Sequence, residues 1–274
     1  MKTNPILLAA MVGLGFAASA SAAALAFATN QLTDFTISVS TTNYTVGAGN
    51  RNTTTLANYS GFFGATDTDP VPSGNASDAL QATSGPGPFP AEPTWTQDVG
   101  MVGSRGDAYT SGQSPFAVGG VQQVFSMAES NGSGGPDGNA IGQNTNAISS
   151  ITLNEDATIT FSFNAYVAYW AQAGLGETAT TRLENSFEIT GAAGTVFAYK
   201  PSDVNLEATA SNGLLAYTNG QGQAFSGTSP LLPAGTYAIS LKGASSAEIF
   251  TVPEPSVALL GVLGLLGLVR RRRA

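Results

Sequence analysis

The stretch ATITFSFNAYVAYW, residues 157–170, carries a two-residue period that suits an extended strand. Successive side chains of a strand point to opposite faces, so Phe161, Phe163, Ala165, Val167 and Tyr169 share one face. Ser162, Asn164, Tyr166, Ala168 and Trp170 share the other. The first set predicts a core face. Working outward, AISSITL, SFEITG, TVFAYK, GTYAISLKG and AEIFTV read as further strands at the spacing of an antiparallel sandwich. No helix-period pattern of comparable length interrupts them. Glu155 and Asp156 predict a hairpin turn before the quoted stretch. Pro233 and Gly235 predict a tight entry into a penultimate strand, with a hairpin returning through residues 248–252.

The first half is less regular. TDFTISVSTTNYTV, residues 33–46, alternates and is rich in β-branched residues. Six prolines then fall between Pro70 and Pro93, and NGSGGPDGN covers residues 131–139. These predict extended loops, with VQQVFSM, residues 121–127, as one strand among them. The expected fold is therefore all-β: an antiparallel β-sandwich, jelly-roll or Ig-like, with long Gly/Pro/Asn-rich loops. Whether residues 47–145 belong to its core or decorate it stays open.

Composition excludes several functions. Between Lys2 and Arg270 stand 18 acids and five basic residues, Arg51, Arg105, Arg182, Lys200 and Lys242, a net of −13. Such a body repels phosphate backbones and anionic membranes, which argues against nucleic-acid binding. The chain of 274 residues has no Cys and no His. That removes disulfides, thiol nucleophiles, Cys-zinc sites, Ser-His-Asp triads and His-based metal sites. Two carboxylates suffice for glycoside hydrolysis, but their separation in space is not legible in a sequence. The expectation is a protein that is not an enzyme.

The two ends carry addresses. Lys2, an apolar stretch over residues 6–18 and then small residues follow the order of a secretory signal, residues 1–22. Ala20-Ser21-Ala22 fits the small-x-small pattern before a cut at Ala23, and Ala18-Ser19-Ala20 is an alternative. The body then runs over residues 23–251. Residues 252–274, VPEPSVALLGVLGLLGLVRRRRA, contain a thirteen-residue apolar run, residues 257–269. As a helix it spans about 20 Å, short of a hydrocarbon core of about 30 Å unless adjoining residues and arginine stems extend it. Arg270, Arg271, Arg272 and Arg273 would hold its end on the cytoplasmic side. Gly261, Gly264 and Gly267 recur at every third position, as on a helix-contact face. Pro253 and Pro255, flanking Glu254, hold the chain extended before the run.

Taken together, the Pro-Glu-Pro triplet, the short apolar helix and the terminal arginine cluster resemble the PEP-CTERM sorting signal of Gram-negative bacteria. The resemblance covers residues 252–274 alone. It implies export, transient anchoring in the inner membrane and recognition by an exosortase, an integral-membrane enzyme of cysteine transpeptidase type. Cleavage would fall near Pro253, Glu254 and Pro255, followed by release or transfer to the cell surface or extracellular matrix. Signal peptidase and the exosortase are the implied partners, with exopolysaccharide or biofilm as the setting. A plain single-pass anchor is the alternative.

Within the body, Tyr166 and Trp170 lie on the partly polar face of the opening stretch, where aromatic rings can stack on sugar. A carbohydrate-binding module is therefore the second functional reading; a structural role for both rings is the plainer one. Asp67, Asp69 and Asp137 are loop carboxylates of the kind that ligate calcium, but no EF-hand or repeated Gly-Gly-x-Gly-x-Asp pattern surrounds them. Solvated turn acids are the plainer account of them. No other cofactor is expected.

Overall fold

The computed structural model describes residues 23–47, 50–60, 76–78, 103–112, 122–133, 137–174, 176–220 and 222–251. Fourteen strands and one short 3-10 turn cover most of them. In chain order they are β1 (Ala23–Val39), β2 (Tyr44–Val46), β3 (Asn50–Ser60), β4 (Ala76–Asp78), β5 (Gly103–Gly112), β6 (Gln122–Ser133) and β7 (Asp137–Leu153). There follow β8 (Ile159–Ala173), β9 (Glu177–Gly191), β10 (Gly194–Tyr199), the turn Ser202–Val204, β11 (Leu206–Ala210), β12 (Gly213–Thr218), β13 (Gln223–Thr228) and β14 (Gly235–Thr251). The expected all-β, antiparallel sandwich is what forms. A six-stranded sheet has the order β12-β8-β1-β6-β5, with β13 also on β8. An eight-stranded sheet has the order β10-β9-β14-β7-β3-β4, with β11 also on β9 and β2 on β7. The expected signal helix and C-terminal membrane helix lie outside the described residues.

The opening stretch behaves as its alternation requires. Phe161, Phe163, Ala165 and Val167 are buried on the inner face of β8, while Ser162 and Asn164 face outward. Opposite them β9 buries Leu183, Phe187 and Ile189 at the same period. Phe161 and Phe187 stack across the sandwich with ring centroids 3.9 Å apart, and Phe35 reaches both Phe163 and Phe187 at about 6 Å. Each such buried ring contributes about 1.5–3 kcal/mol of transfer free energy. A β-bulge sets Phe35 in this core. The register of β1 slips between Leu32 and Phe35 against β6 and between Thr33 and Thr36 against β8, and Asp34 adopts φ 55°. Ala24, Ala26, Ala28 and Leu32 face inward before the bulge, Phe35 and Ile37 after it. The bulge therefore lets one strand keep an apolar inner face although its sequence changes parity.

The sandwich tapers. Away from the phenylalanines the inner layer is Ala24, Ala26, Ala128, Ala140, Ala171, Ala173, Ala179, Ala210 and Ala247 with Ile249. Serines tie the sheets together here. Ser126 and Ser245 hydroxyls meet at 2.9 Å, and Ser130 donates to the Ala247 carbonyl at 3.2 Å. Only small side chains permit that approach.

Residues 47–145, open in the sequence between core and decoration, supply β3, β4, β5, β6 and the first half of β7, with β6 directly beside β1 and β7 beside β14. Three expectations are corrected. Within the Gly- and Asn-rich stretch, residues 131–133 end β6 and residues 137–139 begin β7, where a Cβ on Gly138 would lie 2.7 Å from the Ser104 hydroxyl of the other sheet. Glu155 and Asp156 do not form a hairpin, since β7 and β8 belong to different sheets and the chain crosses between them. Finally, GTYAISLKG and AEIFTV are one strand, β14, and no hairpin returns at residue 248; it is the last described strand, not the penultimate one. Gly243 lies inside it, where an added Cβ would sit 3.3 Å from Asn30 and Val124, so that glycine marks close packing rather than a turn.

Candidate functional site

Tyr166 and Trp170 share the outer face of β8, as the alternation requires, and both are half-buried. Trp170 lies opposite Phe27 of β1, which is fully buried, and its indole N–H is buried without a hydrogen-bond partner. The ring stands at the margin of a buried patch that includes Leu25, Phe125 and Met127, with the buried Glu129 opposite Phe27. Asp137 is exposed at the start of β7. Asp67, Asp69, Ala20, Ala22, Pro253, Glu254, Pro255 and Arg270 to Arg273 lie outside the described residues. Among the described residues no group of three or more Asp or Glu is placed to hold a metal ion, and no helix is long and apolar enough to cross a membrane.

The structure draws attention to a different place, where an edge ribbon breaks. β10 pairs with Phe187–Gly191 and β11 with Ala179–Leu183, so one ribbon runs along β9 with a gap opposite Asn185. Asparagine side chains close the gap. Asn205 accepts from the Asn185 backbone N–H at 2.8 Å and donates to the Asn185 carbonyl at 2.9 Å, standing in for a missing strand residue. It also donates to the Pro201 carbonyl at 2.8 Å. The six-stranded sheet repeats the device. β12 and β13 form one ribbon along β8 with a break near Tyr166 and Val167. There Asn219 accepts from the Val167 N–H at 2.9 Å and donates to the Ala165 carbonyl at 2.8 Å.

On the outer face of the first break lies a concavity of about 270 Å³, lined by Arg182, Glu184, Lys200, Leu206, Glu207 and Lys242 among others. Arg182, Lys200 and Lys242 are three of the five cations of the acidic body. Glu184 receives both Arg182 and Lys242, while Lys200 pairs with Glu188 at 3.3 Å. These groups are largely solvated, so each pair contributes about 0–1 kcal/mol. Arg182, Glu184 and Glu188 alternate with the inner-face residues of β9, the pattern by which a sequence could have shown them on one face; Lys200 and Lys242 join through the topology alone.

The ion pairs have a readable pH signature. The hydrogen bond from Lys242, aided by the positive charges of Lys242, Arg182 and Lys200, holds the Glu184 carboxyl below its ordinary value of 4.5 against the opposing effect of burial. A depressed carboxylate contributes stability above its unfolded value and loses it as pH falls through the folded one. Glu184→Gln is therefore expected to flatten the loss of thermal stability below about pH 4.5, leaving stability at pH 7 lowered. Parallel melts of both proteins from pH 7 downward check this; an unchanged acid slope would remove Glu184 from the account.

No protein-family model matches the chain, and no curated protein is significantly similar to it.

Proposed function

We propose that this is an exported, exosortase-processed protein of the cell surface or extracellular matrix, with a structural or adhesive, non-catalytic role beside exopolysaccharide. The observation that carries the reading is the pairing of a secretory signal, residues 1–22, with the Pro-Glu-Pro, apolar and arginine segments of residues 252–274. The absence of His and Cys from the sequence supports a non-catalytic body.

For the body we infer the jelly-roll form rather than the Ig-like one. The order β6-β1-β8 with β12 and β13 faces β7-β14-β9 with β10 and β11, and β6 to β9 alternate between sheets. That is a two-sheet Greek-key arrangement whose closing strand is supplied by the N-terminal β1.

Intact-mass spectrometry of the protein from its native host, with and without the exosortase, tests the export reading. The expected mass runs from near Ala23 to near Pro253–Pro255, with the longer form accumulating when the exosortase is absent. A mass that retains Arg270 to Arg273 in the normal host would leave a plain anchored protein and end the sorting argument.

A further inference from the structure

We propose that Asn212 is a site of spontaneous deamidation, and that the fold makes it the reactive member of three candidate pairs. An asparagine followed by glycine is the pair most prone to cyclise, because a residue without a Cβ lets its nitrogen reach the side-chain carbonyl carbon. Three such pairs occur in the sequence, at residues 131–132, 212–213 and 219–220. Two are closed by their surroundings. Asn131 is 5% exposed inside β6, paired with Leu25 of β1 on one side and Gly103 of β5 on the other. Its cyclisation would open the sheet on both sides. Asn219 bridges the break between β12 and β13. Its side chain accepts from the Val167 N–H at 2.9 Å and donates to the Ala165 carbonyl at 2.8 Å. The attacking group is held as well, since the Gly220 N–H donates to the Thr218 hydroxyl at 3.1 Å.

Asn212 is open. It is exposed in the link of residues 211–212, which carries the chain from β11 on one sheet to β12 on the other. Among the described residues its side chain makes no hydrogen bond. Gly213 is the first residue of β12, opposite Ala173, at the end of the ladder where opening costs least. Its φ is +98°, and an ideal Cβ there would meet nothing within 4 Å, so nothing crowds the turn. In the reaction the Gly213 nitrogen gives its proton to hydroxide and attacks the Asn212 side-chain carbonyl carbon. A new C–N bond forms, the carboxamide C–N bond breaks, and ammonia leaves with a proton taken from water. The cyclic imide then adds one water. Opening at the side-chain carbonyl gives aspartate; opening at the main-chain carbonyl gives isoaspartate, whose extra backbone carbon lengthens the link between the sheets. Either product sets a carboxylate in the span between Glu207 and Lys242, which holds no charged residue. The inference does not depend on export or on exosortase processing.

Peptide mapping by mass spectrometry of the full chain, aged in mildly alkaline heavy-oxygen water with mild nonionic detergent, provides the test. A parallel sample is aged in urea. In the folded chain the peptide carrying Asn212 is expected to convert to the acid with uptake of one heavy oxygen. It should do so at least about tenfold faster than those carrying Asn131 and Asn219, because each contact that must open first adds to the barrier. In urea the three pairs should converge to similar rates. Equal rates at the three pairs in the folded chain would mean that the fold does not choose among them, and overturn the proposal. Asn212 unchanged in the folded chain while it converts in urea would mean that the turn protects it, and overturn it equally.

Discussion

Gly142→Ala is expected to destabilise the fold by about 3 kcal/mol or more, the upper range for inserting a single methyl into a packed interior. An ideal Cβ at Gly142 would lie 2.2 Å from the Asp107 carbonyl oxygen, 2.5 Å from that of Met127 and 2.9 Å from the Met127 nitrogen. All three atoms are backbone, so no side chain can rotate to make room. Met127 lies on β6, held between β1 and β5, and Gly142 lies on β7, held between β14 and β3, while Asp107 lies on the edge strand β5, paired with β6. Relief would require the sheets to part, which would stretch the Ser126–Ser245 contact and the bond from Ser130 to the Ala247 carbonyl. In a protein of this size the change corresponds to a fall of about 10 °C in Tm. Gly235→Ala is the matched control, because its Cβ would meet nothing closer than 3.7 Å. Equal melting of Gly142→Ala and the unaltered protein would mean that the sheets stand further apart here.

The same taper explains which strands the sequence showed. β8, β9 and the end of β7 carry large apolar residues at strict period two, because at the thick end of the sandwich large side chains must fill the space between sheets. At the thin end alanine, serine and glycine fill it, and their alternation with polar neighbours looks like turn composition. Hence residues 131–139 read as loop, although Gly138 packs against Ser104 of the other sheet. β1 was hidden for a second reason. Residues 24–30 are buried on both faces, so no polar alternation marks them, and the bulge at Asp34 starts a readable pattern only after Thr33. The face of Tyr166 and Trp170 was correctly derived from alternation alone. The cluster around Glu184 was not, since Lys200 and Lys242 reach it from β10's end and from β14, and pairing between distant strands is not written in local sequence.

Asn185→Ala is expected to cost about 3 kcal/mol, mainly through the groups that it abandons rather than the bonds that it removes. Asn185 is buried inside β9, where its carbonyl oxygen accepts from the Asn30 amide of β1 at 2.7 Å and its amide donates to the Val204 carbonyl at 2.6 Å. It is therefore a polar link between the two sheets at their thick end, and between the eight-stranded sheet and the turn that fills its edge. Alanine leaves the Asn30 amide and the Val204 carbonyl unpaired, and an unsatisfied buried group costs about 1–3 kcal/mol. The Asn30 carbonyl oxygen already lacks a partner, so the site has no spare acceptor to share. If orphaned groups carry the cost, removing both ends restores much of it: Asn30→Val with Asn185→Leu should be more stable than Asn185→Ala alone, with non-additivity measured in a double-mutant cycle by urea unfolding. If instead packing around Gly243, whose position admits both asparagines, carries the cost, the two changes add and the double mutant is the least stable of the set. The sign of the coupling thus separates a hydrogen-bonded link between the sheets from two asparagines that merely fill space.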